Sequence, residues 1–171
     1  FEIDLLTYYN GKLYGVQHHF YNVTTNTVTP GKLFIINADN GVPVNSINIS
    51  DPTAFTVGYF GLAVDATGIY VMGGVAYSQL FTNYPVNQTF YYTENAFQNF
   101  QQLNINSIVS AEIGFLTKYE LSNPLNMVWS TYLYGQGHLN QNTDKINKLK
   151  FINNDLYLVA SVVNATNVST L

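Results

Sequence analysis

The chain has 171 residues, of which 47% are hydrophobic and only 9% charged, with a net charge of −4 and no cysteine. That suffices for one sizeable core, excludes disulfides and thiolate metal sites, and leaves no apolar run near the roughly 18 residues that span a membrane. All six basic residues are lysines, and without an arginine fork on a net-negative chain nucleic-acid recognition is set aside.

In chain order, the first signal is Leu6 followed by the turn at Asn10-Gly11 and the strand Lys12-Leu13-Tyr14-Gly15-Val16. The same phrase returns as Leu62 with Thr67-Gly68-Ile69-Tyr70-Val71-Met72, and as Leu149 with Asn154-Asp155-Leu156-Tyr157-Leu158-Val159. In each copy a leucine stands seven residues before the aliphatic of an aliphatic-Tyr strand. A shared offset across three copies predicts a repeated strand-turn-strand unit.

A second phrase interleaves with the first. Gly31-Lys32-Leu33-Phe34-Ile35-Ile36-Asn37 passes through Asp39-Asn40-Gly41 into Val44–Ile49. Its counterpart, Gly114-Phe115-Leu116-Thr117-Lys118-Tyr119, passes through Ser122-Asn123-Pro124 into Met127–Leu133. Both read as hairpins. The prediction is an all-β chain of antiparallel four-stranded blades, β-propeller-like, with a β-sandwich as the alternative fold. Blade one covers residues 1–50, blade two covers 57–135 with an insert at 77–112, and a half blade covers 146–163. The extra length of blade two all lies between its second and third strands, where a radial array accepts insertions. Two and a half blades cannot close a ring. With the start at Phe1, this leads to the expectation of a fragment of a larger ring, or of a subunit locked into an assembly.

The stretch Gly61-Leu62-Ala63-Val64-Asp65-Ala66-Thr67-Gly68-Ile69-Tyr70-Val71-Met72-Gly73 resembles the signature of the seven-bladed β-propeller (SBBP-type) repeats of secreted prokaryotic proteins. Gly114–Tyr119 and Trp129-Ser130-Thr131-Tyr132-Leu133-Tyr134-Gly135 resemble the two strands that follow it there. The resemblance is good over 58–135, partial over 146–163 and degenerate over 1–50; Tyr9 and Ile152 stand where blade two has Asp65. It implies an extracellular propeller of the kind found in surface or adhesion proteins, and no catalytic residue.

Five Asn-x-Ser/Thr sequons begin at Asn22, Asn48, Asn87, Asn164 and Asn167, and each is a candidate glycan acceptor on a secreted chain. With 22 asparagines, several sequons are expected by chance. The neutral, amide-rich surface suits a harsh or acidic exterior, because amides and hydroxyls do not titrate; base composition of the genome gives the same bias. The insert is rich in aromatics. Phe81, Tyr84, Tyr91 and Tyr92 are candidates for a partner surface, since neutral tyrosine-rich surfaces suit protein and carbohydrate contacts. The bland reading of the same insert is a loop folded over a sheet edge. Thr93-Glu94 followed by Ala96, Phe97, Phe100 and Leu103 predicts one short amphipathic helix.

Other candidates carry less. His18 and His19 are adjacent on a strand and so face opposite ways, which suits no shared metal. His138 is isolated. Asn37–Gly41 lacks the later ligands of a calcium loop and reads as a turn. No acid/base pair, nucleophile elbow or phosphate loop is visible, and no cofactor is expected. Two function classes remain. One is a non-catalytic extracellular structural or adhesion protein, a cell-surface, filament or coat component, whose partners are other subunits. The alternative is a propeller that binds or processes polysaccharide.

Overall fold

The computed structural model of the chain describes residues 3–22, 24–25, 27–52, 54, 56–76, 90–91, 93–94, 96–97, 112–122, 126–133, 145–152 and 155–161. These form twelve strands: β1 (Leu5–Tyr9), β2 (Lys12–Gln17), β3 (Phe20–Asn22), β4 (Thr27–Thr29), β5 (Lys32–Asn37), β6 (Pro43–Asn48), β7 (Thr56–Asp65), β8 (Gly68–Ala76), β9 (Glu112–Tyr119), β10 (Met127–Leu133), β11 (Lys145–Ile152) and β12 (Asp155–Ser161). The fold is all-β and antiparallel. A first sheet has the order β1-β2-β5-β6 and a second the order β7-β8-β9-β10; β11-β12 and β3-β4 are two-stranded. The strands of each sheet follow one another in sequence, interrupted only by the β3-β4 hairpin. Among the described strands none belongs to both large sheets, and a single isolated antiparallel bridge pairs His19 with Val57 of β7.

Local chemistry accounts for the turns. Tyr9 pairs with Lys12, leaving Asn10-Gly11 as a two-residue loop in which both residues have positive φ, 45° and 74°. That is the geometry Asn-Gly favours in a tight hairpin. In the second unit Asp65 pairs with Gly68, and the Asp65 carboxylate accepts bonds from the Thr67 amide, the Thr67 hydroxyl and the Gly68 amide. Asp65 is a turn cap, which explains why Tyr9 and Ile152 replace it where the turn is made of other residues. Asn37–Gly41 is likewise a turn: Asn37 Oδ1 accepts from the Asp39 amide, and Asn40 Oδ1 from that of Val42.

The second sheet lies in the middle of a stack. One face, with Ile69, Val71, Val75, Phe115, Tyr119 and Tyr132, packs against Tyr14, Val16, Leu33 and Ile35 of the first sheet. The opposite face, with Ala63, Tyr70, Met72 and Leu116, packs against Leu149, joined by Phe151, Leu156 and Leu158 of the β11-β12 hairpin. A bulge between Tyr59 and Gly61 keeps the apolar row of β7 on one face along its whole length. Val57 and Tyr59 precede it, and Leu62 and Val64, of opposite parity, follow it; all four join the same cluster. One extra residue reverses the alternation. The equivalent position of β11 is also bulged, between Ile146 and Lys148, so the repeat extends to backbone irregularity. The first strands of the three units adjoin, with β7 against both β1 and β11.

The short helix expected from Thr93 is not formed at the described residues of that stretch. Thr93, Glu94, Ala96 and Phe97 make a turn closed by the Ala96 amide on the Thr93 carbonyl. The Thr93 amide and hydroxyl both donate to the Ser130 carbonyl, at 3.1 and 3.3 Å. A side chain committed to a β-strand cannot cap a helix. Residues 98–103 lie outside the described residues.

Candidate functional site

The densest polar constellation sits where the end of the first sheet meets the second. His19 bridges Ser50 and Ala54, with Nδ1 2.9 Å from the Ser50 hydroxyl and Nε2 3.2 Å from the Ala54 carbonyl. A carbonyl only accepts, so Nε2 carries the proton and Nδ1 accepts from Ser50. The Ser50 oxygen also accepts from the Gly31 amide at 2.9 Å. Burial lowers the His19 pKa, opposed by its bond to the Ala54 carbonyl and by the nearby Asp51 carboxylate. His19, Ser50 and Asp51 are all buried. Ser50 thus donates its proton to His19 and accepts from the Gly31 amide on one lone pair. A serine and histidine in contact suggest nucleophilic chemistry, but a nucleophile must be reachable, and this one is sealed. The constellation pins the chain between β6 and β7.

Tyr91 completes that pin. Its hydroxyl donates to the Ile49 carbonyl at 3.4 Å and accepts from the Asp51 amide at 3.2 Å. Its ring stacks on Phe115, with centroids 3.9 Å apart and planes within 12°. Tyr91 is fully buried, which corrects its assignment to a partner surface. Stacking and two backbone bonds turn it inward, where it ties the two sheets together. The bland reading of the insert holds at this residue. Phe81, Tyr84 and Tyr92 lie outside the described residues.

Tyr59 points into the same region. The hydroxyl is buried and makes no hydrogen bond in acceptable geometry, although the Tyr91 and Ser50 hydroxyls are near enough to oppose the rise in its pKa. Burial dominates, pushing that pKa well above its ordinary value, with Tyr119 adding to it. Gly31 makes room for this ring, since a Cβ there would come within 2.7 Å of Tyr59 Cε2.

The histidines divide as alternation requires. His18 is exposed and pairs with Asp4 at 2.6 Å, while His19 is buried. Among the described residues no group of three His, Cys, Asp or Glu side chains could hold a metal ion, and no helix is long and apolar enough to cross a membrane. Of the sequon asparagines, Asn22 ends β3 and its Oδ1 accepts from the Thr24 and Thr25 amides, with Thr24 exposed. Asn48 is exposed on the edge strand β6, yet Ile49 and Ser50 of the same sequon are buried. Asn87, Asn164 and Asn167 lie outside the described residues.

The remaining candidate is a pair of surfaces. On the outer face of the first sheet, Leu6 and Tyr8 are 58% and 64% exposed. The cross-strand pairs Leu6–Gly15, Gly15–Phe34, Tyr8–Leu13 and Leu13–Ile36 continue that face across the sheet. At the other end of the stack, Tyr157 and Val159 stand 52% and 57% exposed on the outer face of β12. Apolar alternation alone indicated strands with two apolar faces; it did not indicate which faces have a neighbour. No family model, curated protein or solved structure matches the chain.

Proposed function

We propose that this chain is a non-catalytic structural or adhesion protein of the cell exterior that assembles through its β-propeller-like repeats. The observation that carries the reading is the exposure of large apolar side chains on the outer faces of the stack, Leu6 and Tyr8 on β1 and Tyr157 and Val159 on β12, where exposed Lys150 is the cross-strand partner of Tyr157. Contiguous apolar surface on a sheet face signals an interaction site, and antiparallel sheets normally solvate one face with polar side chains. Leu6, Tyr8, Tyr157 and Val159 do the opposite. The resemblance to SBBP-type repeats supports an extracellular setting and a radial arrangement of the sheets, as does the gathering of β1, β7 and β11. Low charge supports the same setting, and the inaccessible Ser50 hydroxyl favours a scaffold role for the only Ser–His contact among the described residues.

Fractionation of the native source, with mass spectrometry of the surface layer, tests the reading. The chain is expected in sedimentable surface material, with glycan on Asn22 in preference to Asn48 if modification follows folding, because Ser50 is then shielded. Recovery solely from the interior of the cell, unmodified, would remove the proposal. Selective retention on a polysaccharide matrix, with no sedimentable form, would favour the carbohydrate-binding alternative.

A further inference from the structure

We propose that the two end faces bind one another head to tail between copies of this chain, with Tyr8 of one copy packing on Tyr157 of the next. This rests on the assembly reading above and names its partner as a second copy.

The inference comes from an interface that the molecule already makes twice. The repeat aligns Leu6 with Leu62 and Leu149, Tyr8 with Val64 and Phe151, and Leu13 with Ile69 and Leu156. In the second and third units these positions face the preceding sheet. Leu62, Val64 and Ile69 pack into the cluster shared with the first sheet, and Leu149, Phe151 and Leu156 into the cluster shared with the second. In the first unit the same row is turned outward.

The opposite row behaves in mirror fashion. Tyr14 aligns with Tyr70 and Tyr157, and Val16 with Met72 and Val159. Tyr14 and Val16 are buried toward the second sheet, and Tyr70 and Met72 toward the hairpin. In the third unit the row is exposed. Each end therefore carries one half of a contact whose other half is at the opposite end. Such a pair of unlike, complementary faces gives a heterologous interface, which propagates or closes into a ring, and not a two-fold one.

The internal contacts specify the pairing. Tyr70 and Phe151 meet edge to face with centroids 5.0 Å apart and planes at 74°. Their counterparts on the two outer faces are Tyr157 and Tyr8. The Tyr8 hydroxyl accepts from the Gly11 amide at 3.1 Å, which holds the ring over the sheet. The β7 position that Leu149 covers is Gly61, where an added Cβ would meet Leu149 Cβ at 2.6 Å. The aligned residue of the third unit is Lys148, so the contact between copies does not reproduce that close approach and rests on the pairing of Tyr8 with Tyr157.

The test uses the whole 171-residue chain. Tyr8→Asp blocks one end and Tyr157→Asp the other. By sedimentation velocity, the unmodified chain is expected to grow in steps of one copy as concentration rises, and each variant alone to stay monomeric. An equimolar mixture is expected to form a dimer and nothing larger, because each partner keeps one intact face. A second arm mixes Tyr8→Cys with Tyr157→Cys, substitutions that leave the fold alone if the charged ones do not. Linked with a short bismaleimide, the mixed cross-link, identified by mass, is expected to exceed either self-cross-link by roughly tenfold or more, because packed sheet faces lie about 10 Å apart, too far for a direct disulfide. A monomeric mixture, a single variant that dimerises by itself, an unmodified chain monomeric to about 1 mM, or self-cross-links in statistical proportion would each overturn the proposal. Head-to-tail growth by a chain absent from surface fractions would instead retire the surface reading alone.

Discussion

At His19, burial and hydrogen bonding pull in opposite directions, and burial wins. The unfolded histidine titrates near pH ~6.5, and the folded one lower. Between the two values the unfolded chain binds the extra proton, so stability rises with pH across that window. The contribution is fully present above about pH 6.5, declines as the solution is acidified toward the folded pKa, and levels off below it. Denaturant titrations at pH 7.5 and pH 5 are expected to show a loss in acid. In His19→Asn that acid-side loss shrinks, while a pH-independent cost from the weakened Ser50 and Ala54 contacts appears. A variant with the same acid sensitivity as the parent would place the titration elsewhere. Tyr59 makes the complementary case. Removing a hydroxyl that is buried without a hydrogen bond recovers its desolvation cost, so Tyr59→Phe is expected to stabilise by about 1 kcal/mol. Thermal melts check this, and a lower midpoint would mean that the hydroxyl reaches Tyr91 or Ser50 after all. Neither effect was legible beforehand. His19 and Ser50 are 31 residues apart, and no local pattern distinguishes a tyrosine that turns inward, such as Tyr91, from one that faces solvent.

Among the elements, the β11-β12 hairpin is held by one sheet face, and its seat can be tested at a single residue. Gly61 lies under Leu149, with Met72 Cε only 2.9 Å from where a Cβ would be. Backbone and packed carbon border the space, so Gly61→Val has to lift the hairpin. Overpacking of this kind costs about 1–3 kcal/mol. The only tryptophan of the chain, Trp129, packs against the same cluster beside Tyr70, with centroids 6.2 Å apart. Its emission is expected to shift to the red in Gly61→Val, with faster hydrogen exchange in β11 and β12 than in β1–β10. Unchanged emission would mean that the hairpin slides without undocking. The five long hairpins were legible because turn pairs such as Asn10-Gly11 sit between aliphatic strands at a constant offset. The β3-β4 hairpin was not: its strands have three residues each, too few to show a period. Thr93 is of the right type to cap a helix, and the partner that claims it, Ser130, is far away in sequence.

At the scale of the whole molecule, the apolar packing of the described residues gathers into two clusters. Among the described residues the one ion pair is His18–Asp4, and the His18 side chain is half exposed. Exposed pairs contribute about 0–1 kcal/mol and weaken further as salt rises. Lys118 lies over the Tyr70 ring at 5.2 Å, itself laid across the apolar seat of the hairpin. Raising NaCl from about 10 mM to 0.5 M at pH 7.5 is therefore expected to change unfolding free energy by less than about 1 kcal/mol. Sulfate at the same ionic strength should stabilise clearly, because excluded anions strengthen apolar burial. The head-to-tail contact is built from the same residue types, so it should follow the same rule, indifferent to NaCl and tightened by sulfate. Sedimentation in the two salts separates this from a charge-driven contact, which NaCl would dissolve. Steep weakening of the association by NaCl would show that lysines, and not the Leu6–Tyr8 and Tyr157–Val159 rows, hold neighbouring copies together.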